Sequence, residues 1–391
     1  MPDARPFVTL RVGERVTWSH TLTDDDVDAF AALSGDVNPL HLDDRFARQN
    51  GFRGRVVHGM LLGAYVSRVL GTTLPGPGVL WLAQSFKFQR AAYVGDRIEV
   101  EVAITHVSEA LRTLVLDTAV RANGVVAISG EAKAMILQTV QTVPWDEMVA
   151  LVTGGSRGIG GAIVRAFAER GASVVVNYRE RAEPAQALVA ELRSSGVRAT
   201  AIGADVSTAE GAETLAREAL EAFGRVDVVV NNATPLIDRK PLLDSEWDEI
   251  DTYWRTYAGG AFRLAKALVP SMRERGFGRI VNVLTTAMWG APPPENGAYV
   301  AAKSGLWGLT KAMAVEFAPY GITVNAVSPS AVMTEQWDAV SDNRRRALSL
   351  RIPAQRLAAA DEVAATVLHL AGNDAAYVTG ANFPVAGGEV M

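Results

Sequence analysis

Apolar residues along this chain follow two rhythms, and the change between them divides it. From Met148 onward, short Val/Ala/Ile runs at 174–176, 226–230 and 280–283 alternate with amphipathic segments long enough to be helices. Such runs read as strands buried on both faces, and the segments between them as crossover helices of a parallel sheet. After a glycine-rich turn, Ile159, Ile163, Val164 and Phe167 recur at three- and four-residue spacing, and Gly171 stops the pattern. Six or seven such units predict one doubly wound α/β domain. The preceding residues behave differently. Thr23, with Asp26 three positions on, predicts a capped polar helix ending at Gly35. An apolar helix follows at about 58–70, then strand-rich stretches at 79–87, 97–107, 111–121 and 125–138. A long apolar helix followed by an antiparallel meander predicts an α+β domain with the helix buried against the sheet. The expected layout is an α+β domain over 1–143, a short linker over 144–147 around Pro144 and Trp145, and an α/β domain over 148–391.

Composition narrows the function classes. The chain is 49% hydrophobic and 21% charged, as in an ordinary soluble protein. A net charge of −5 gives no footprint for nucleic acid. There is no cysteine, so disulfides and thiolate chemistry are excluded. Five scattered histidines argue against a metal cluster. No apolar run reaches the roughly 20 residues of a membrane span, and the first residues lack the apolar core of a signal peptide. The expectation is a cytoplasmic protein without membrane or nucleic-acid partners.

The chemistry is concentrated in two places. In Gly35-Asp36-Val37-Asn38-Pro39-Leu40-His41, a carboxylate and an imidazole stand five residues apart on a loop that Pro39 stiffens. Converging on one water, such a pair can add it across an alkene or remove it from an alcohol. Enolate charge building next to a thioester needs preorganised donors, and the helix opened by His58-Gly59-Met60 offers free backbone N–H groups. These motifs, with Phe86-Lys87-Phe88 and Val94-Gly95-Asp96, resemble the MaoC-like (R)-specific enoyl-CoA hydratases over about residues 8–138. The resemblance implies a hotdog fold, Asp36 and His41 as the catalytic pair, and Gly59 N–H as an oxyanion donor. Arg45, Arg48, Arg53 and Arg55 lie nearby, either as a solvated face or as a grip for the phosphates of coenzyme A.

In the second place, strand 149–152 runs into Thr153-Gly154-Gly155-Ser156-Arg157-Gly158-Ile159-Gly160, a turn that lets backbone approach a pyrophosphate at a helix N-terminus. The next strand should end near Asn177-Tyr178-Arg179, where no acidic residue meets a ribose diol, while Arg157 and Arg179 could hold a 2′-phosphate. That favours NADPH. Tyr299 and Lys303, four apart, share one helix face, and an ammonium beside a phenol would lower its pKa towards neutrality.

With Asp205-Val206, Asn231-Asn232-Ala233, a Thr-Thr pair ahead of the tyrosine and Asn325-Ala-Val-Ser-Pro329, this set resembles the short-chain dehydrogenase/reductases, especially their β-ketoacyl thioester reductase branch, over about 148–391. The resemblance implies that Tyr299 protonates the carbonyl oxygen and Lys303 holds the nicotinamide ribose. It also implies a cofactor site of Gly154, Ser156, Arg157, Gly158, Ile159, Gly160, Tyr178, Arg179, Asp205, Val206, Asn231, Ala233, Tyr299, Lys303, Pro329 and Thr334. The sequence departs from the family pattern at three points. The carbonyl-orienting serine falls on Thr285 or on Thr286, the helix asparagine falls on Tyr257, and Ser330 stands in a usual glycine position. Arginines 344–346 lie in the region that lids the substrate in this family, again as a solvated face or an anion grip.

Together the two halves predict NADPH-dependent reduction of a 3-ketoacyl thioester, carried on coenzyme A or acyl carrier protein, and dehydration of the (R)-3-hydroxyacyl product. A homo-oligomer is expected. Two alternatives remain. One is a hydratase with a non-catalytic reductase-like half. The other is a ketoreductase of secondary metabolism with the hotdog half as an oligomerisation scaffold.

Overall fold

The computed structural model describes residues 7–108, 111–137, 141–335 and 341–390, without the side chains of Val8, Asp342 and Arg344. The predicted strand end at Gln138 and the Arg344 side chain therefore lie outside the described residues. Two compact units divide at Met1–Thr139 and Val140–Met391.

The first unit runs β1 (Arg15–Thr21), α1 (Asp24–Ser34), α2 (Pro39–Leu42), α3 (Asp44–Gln49), α4 (Gly59–Thr72), β2 (Val79–Gln84), β3 (Lys87–Phe88), β4 (Arg97–Ser108), β5 (Thr113–Ala122) and β6 (Val125–Ile136). Its strands pair antiparallel in the order β1-β4-β5-β6-β2, with β3 also on β6. Alternation sends Ile98, Val100, Val102, Leu114, Leu116 and Val120 inward, where Leu61, Leu62, Val66, Val69 and Leu70 of α4 meet them in one core. Each such side chain contributes about 1.5–3 kcal/mol of burial. This is the expected α+β hotdog arrangement. Helix α1 begins at Thr23 with the predicted capping box and ends at Gly35 with φ 74°.

The structure corrects two details. The expected strand at 79–87 is broken, because β2 stops at Gln84 and β3 restarts at Lys87. A bulge between Trp81 and Ala83 shifts the register there. Strand β1 went unpredicted, since its alternation is only between half-buried and exposed positions.

The second unit runs β7 (Val149–Val152), α5 (Gly158–Glu169), β8 (Ser173–Tyr178), α6 (Ala182–Ser194), β9 (Ala199–Gly203), α7 (Ala209–Phe223), β10 (Val228–Asn231), α8 (Trp247–Trp254), α9 (Gly260–Arg275), β11 (Gly278–Val283), α10 (Gly297–Phe317), β12 (Ile322–Pro329), β13 (Val332–Met333), α11 (Asp342–Ser349), β14 (Ala358–Ala359), α12 (Ala360–Ala371) and β15 (Asn382–Val385). Seven parallel strands lie in the order β15-β12-β11-β10-β7-β8-β9. The order reverses between β7 and β10, which opens a crevice at the carboxyl ends of those strands. Residues 143–147 pack as part of this unit. Val143 exchanges two hydrogen bonds with Asn373, at 3.2 and 2.9 Å, and the Trp145 ring lies 6.1 Å from Phe167. Among the described residues, no helix is long and apolar enough to cross a membrane.

Candidate active sites

In the first unit, the chain leaves α1 at Gly35 and turns back through α2, whose N-cap Asn38 accepts from Leu40 N–H at 3.0 Å. That turn aims His41 back at Asp36. The Nε2 of His41 lies 4.0 Å from Asp36 Oδ2. Its Nδ1–H donates to the Val56 carbonyl at 2.6 Å, which leaves Nε2 as the acceptor on the Asp36 side. The Arg55 guanidinium donates to the His41 carbonyl at 2.7 Å and pairs with Asp24 and Asp28.

His58, which the sequence marked only as a helix opener, belongs to this constellation. Its ring stacks on His41 with centroids 3.8 Å apart, and its Nε2–H donates to the Asp36 carbonyl at 3.0 Å. Its position beside Gly59 was the available signal. Asp36, His41 and His58 each bring one donor atom within 4.8 Å of the others. The imidazole planes are inclined by only 28° and stacked, and the His41 Nδ1 and His58 Nε2 are already committed to backbone carbonyls. The arrangement suits proton transfer between neighbours better than ligation.

Gly59 begins α4, in the turn whose N–H groups lack helical partners. A Cβ there would stand 2.5 Å from Phe88, and one at Gly63 2.9 Å from Phe86, so two aromatic rings wall the start of this helix. Of the four nearby arginines, Arg48 pairs with Asp44 and Arg53 with Asp96, and Arg55 is held as described. Arg45 is exposed and has no ion pair among the described residues.

In the second unit, the glycine turn joins β7 to α5 at the switch point. Gly154 has φ 60° and lies so close to the β10 loop that a Cβ would sit 3.0 Å from the Ala233 Cα. A Cβ on Gly160 would meet the Gly154 carbonyl oxygen at 2.2 Å. Gly158, φ 54°, faces Thr334 at ordinary contact distance, so the turn and the segment after β12 flank one cleft. Half-buried Ser156 and Ile159 and exposed Arg157 line that turn. Asn177 Oδ1 accepts from Gly154 N–H at 3.3 Å, and Asp205 Oδ1 caps Ser207 N–H at 2.9 Å. Tyr178 ends β8, next to Arg179, which pairs with Glu180 at 2.6 Å. Val206 and Pro329 are buried. Asn231 donates to Asn282 at 2.8 Å, and Asn282 in turn to Thr310 at 2.8 Å. A tight glycine cradle at a helix N-terminus, backed by polar strand ends, fits the phosphates and ribose of a dinucleotide.

Tyr299 and Lys303 lie on α10 as expected, but they are tuned differently from the expectation. Burial pushes the Tyr299 phenol up, against a lowering by its hydrogen bond with Thr285 and by the charge of Arg239. Lys303 is held by other contacts. Its ammonium donates to the Val283 carbonyl at 2.6 Å and sits 3.9 Å above the Tyr257 ring. Burial brings Lys303 down to about 7. The Thr285 contact places that hydroxyl, not that of Thr286, at the tyrosine. Ser330 donates its N–H to Val385. Tyr253, Tyr257 and Tyr299 form a cluster with centroids 6.0–6.5 Å apart. Tyr253 and Thr234, which bonds the Tyr257 hydroxyl at 2.7 Å, carried no motif that could have marked them.

Residues 10–124 match a family described as MaoC like domain, and residues 154–389 one described as enoyl-(acyl carrier protein) reductase. The 3-oxoacyl-[acyl-carrier-protein] reductase FabG of Staphylococcus aureus is 40% identical over 247 residues, covering 62% of this chain and 98% of that protein. A blue fluorescent protein from a metagenomic library, solved in complex with NADPH, superposes with a TM-score of 0.60 at 34% identity, over 64% of this chain and all of that one. A Serratia marcescens short-chain dehydrogenase/reductase variant gives 0.60 at 33% identity, over 64% and 100%. The chain therefore belongs to the short-chain dehydrogenase/reductase family, and carries a MaoC-like domain ahead of its reductase fold.

Proposed function

We propose that this protein reduces a 3-ketoacyl thioester with NADPH and dehydrates the resulting (R)-3-hydroxyacyl thioester to the trans-2-enoyl product. The observation that carries this reading is that one chain places His41 Nε2 4.0 Å from the Asp36 carboxylate and, in its other unit, groups buried Thr285 and Lys303 with half-buried Tyr299 at the sheet that carries the glycine turn. The 40% identical relative is a 3-oxoacyl reductase by name, which supports the thioester substrate.

For reduction, residues 154–160 would hold the pyrophosphate, with Tyr178, Asp205, Val206, Asn231, Ala233, Pro329 and Thr334 along the rest of the cofactor. Arg157 and Arg179 would take the 2′-phosphate. When bound there, the nicotinamide would supply the hydride for the β-carbon. Thr285 would orient the carbonyl, Tyr299 would give its hydroxyl proton to the developing alkoxide, and Lys303 would fix the nicotinamide ribose. For dehydration, the pair Asp36/His41 would take one proton from the α-carbon and return one to the departing β-hydroxyl, so that water leaves. Gly59 N–H would stabilise the enolate oxygen. The domains behind this chemistry are taken as 1–143 and 148–391. Coenzyme A or an acyl carrier protein would bear the acyl group, and a cytoplasmic homo-oligomer would be the working form.

The deciding experiment is mass analysis after incubating purified protein with NADPH and a short 3-ketoacyl thioester. An enoyl thioester formed with one NADPH consumed per product supports both steps. An untouched ketone, in a sample that still interconverts hydroxyacyl and enoyl thioesters, refutes the reductase half.

A further inference from the structure

Lys303 is 4% exposed, so its ammonium has left water, and an ammonium there needs partners for three N–H donors. Among the described residues its one oxygen partner is the Val283 carbonyl at 2.6 Å. Burial lowers its proton affinity, and no ion pair to it occurs among the described residues. The face of the Tyr257 ring, 3.9 Å away, is the remaining attraction.

That ring is held firmly. It is 3% exposed, its hydroxyl meets Thr234 Oγ1 at 2.7 Å, and it stacks on Tyr253 at 16° while presenting an edge to Tyr299. Tyr257 lies in a π turn, Arg255–Gly259, between α8 and α9. Such a turn inserts a residue into the helical ladder and re-aims the side chains around it. Here it delivers an aromatic face where a continuous helix would follow another register.

We infer that Tyr257 is a positioning residue of the reductase site, whose ring face holds the Lys303 ammonium in a dry slot beside Tyr299. The inference rests on the reductase reading of this unit. A desolvated ring quadrupole favours the charged form of the amine. Lys303 therefore stays cationic, and able to grip a ribose, over a wider pH range than burial alone would allow. The ring, and not the hydroxyl, is the working part. The titratable groups around Lys303 are Tyr253 of α8, Tyr257 of the π turn and Tyr299 of α10; Arg239, on the loop after β10, acts on Tyr299.

The test compares wild type, Tyr257→Phe and Tyr257→Leu in NADPH affinity and in single-turnover reduction of a 3-ketoacyl thioester, from pH 6 to 9. Tyr257→Leu should weaken NADPH binding about tenfold at pH 8 and move the midpoint of the pH profile about one unit lower. Tyr257→Phe keeps the ring and should restore most of the loss, with the midpoint within a few tenths of a unit. If the leucine variant does not fold, Tyr257→Met supplies the ringless comparison. A ringless variant with wild-type affinity and profile overturns the inference, as does a phenylalanine variant damaged as badly as leucine. If wild type binds NADPH but reduces no 3-ketoacyl thioester, the functional reading fails, while the binding profile still decides the role of Tyr257.

Discussion

In the N-terminal site the Asp36 side chain is 52% exposed, and the polar groups around it come from residues 36–59, a stretch that spans α2, α3 and the first residue of α4. In the C-terminal site Lys303 and Tyr257 are nearly sealed, and their surroundings arrive from strand ends between Thr153 and Pro329. The difference follows from the groups used. Phenol and amine ordinarily titrate near 10, and burial is what brings Lys303 to about 7. Burial is therefore part of the chemistry at Lys303, whereas at the other site it covers His58 and most of the His41 side chain but leaves the Asp36 carboxylate half in water.

The comparison breaks first at the proton donors. Tyr299→Phe should lower reduction by about 10³-fold, within the range for a lost general acid. Enoyl–hydroxyacyl interconversion should stay unchanged, followed separately by NADPH absorbance and enoyl absorbance. Asp36→Asn combined with His41→Ala should do the reverse, to a similar degree. If either substitution impaired both reactions equally, the two sites would not be independent centres.

Gly59→Pro addresses the donor at the head of α4. Proline is tolerated at the first helical position, and His58 before it already has φ −54° and ψ 129°, which proline accepts. The substitution removes one N–H and requires the Phe88 side chain to move. Loss of an oxyanion donor should cost dehydration about 10²-fold in kcat, with unfolding midpoint little changed. Full activity in a folded Gly59→Pro variant would take Gly59 out of the mechanism.

The sealed site should also show itself in stability. Lys303 binds its proton at about 7 when folded, against an ordinary 10.5. Between those values the unfolded chain holds a proton that the folded one has released, so this residue makes stability rise with pH across that window. Lys303→Met should remove that rise. Urea midpoints at pH 7 and pH 10 would reveal it as a smaller difference in the variant than in wild type, and an identical difference would contradict the buried titration.

What could be read in the sequence follows the same contrast. Asp36, His41 and Gly59 were visible because a local turn positions them, and the capping box at Thr23 needs only three residues of context. The parallel sheet was visible because strands buried on both faces leave continuous Val/Ala runs. Tyr257 could be seen only as an oddity. Its contact with Lys303 is set by a π turn and by packing across 46 positions of chain, neither of which leaves a periodic trace. The same reason hid β1, an edge strand with weak alternation, and the partnership of Thr285 rather than Thr286 with Tyr299.

The smallest expected effect concerns the phosphate that distinguishes NADPH from NADH, and here the exposed rim of the buried site resembles the wet one. Arg157 and Arg179 were equal candidates on sequence grounds. In the structure Arg179 already pairs with Glu180 at 2.6 Å, with both side chains about half or more exposed, whereas Arg157 stands exposed before α5 and has no ion pair among the described residues. An arginine that must leave a carboxylate contributes less net attraction to a phosphate, because the lost pair offsets the new one. Arg157→Gln should therefore reduce the preference for NADPH over NADH by about tenfold, the value of one charge-assisted hydrogen bond. Arg179→Gln should change it by less, about two- to threefold, because the pair it breaks is an exposed one. Dissociation constants for both dinucleotides in the two variants would rank them. A larger effect at Arg179 would mean that Glu180 orients this arginine towards the ribose instead of competing for it.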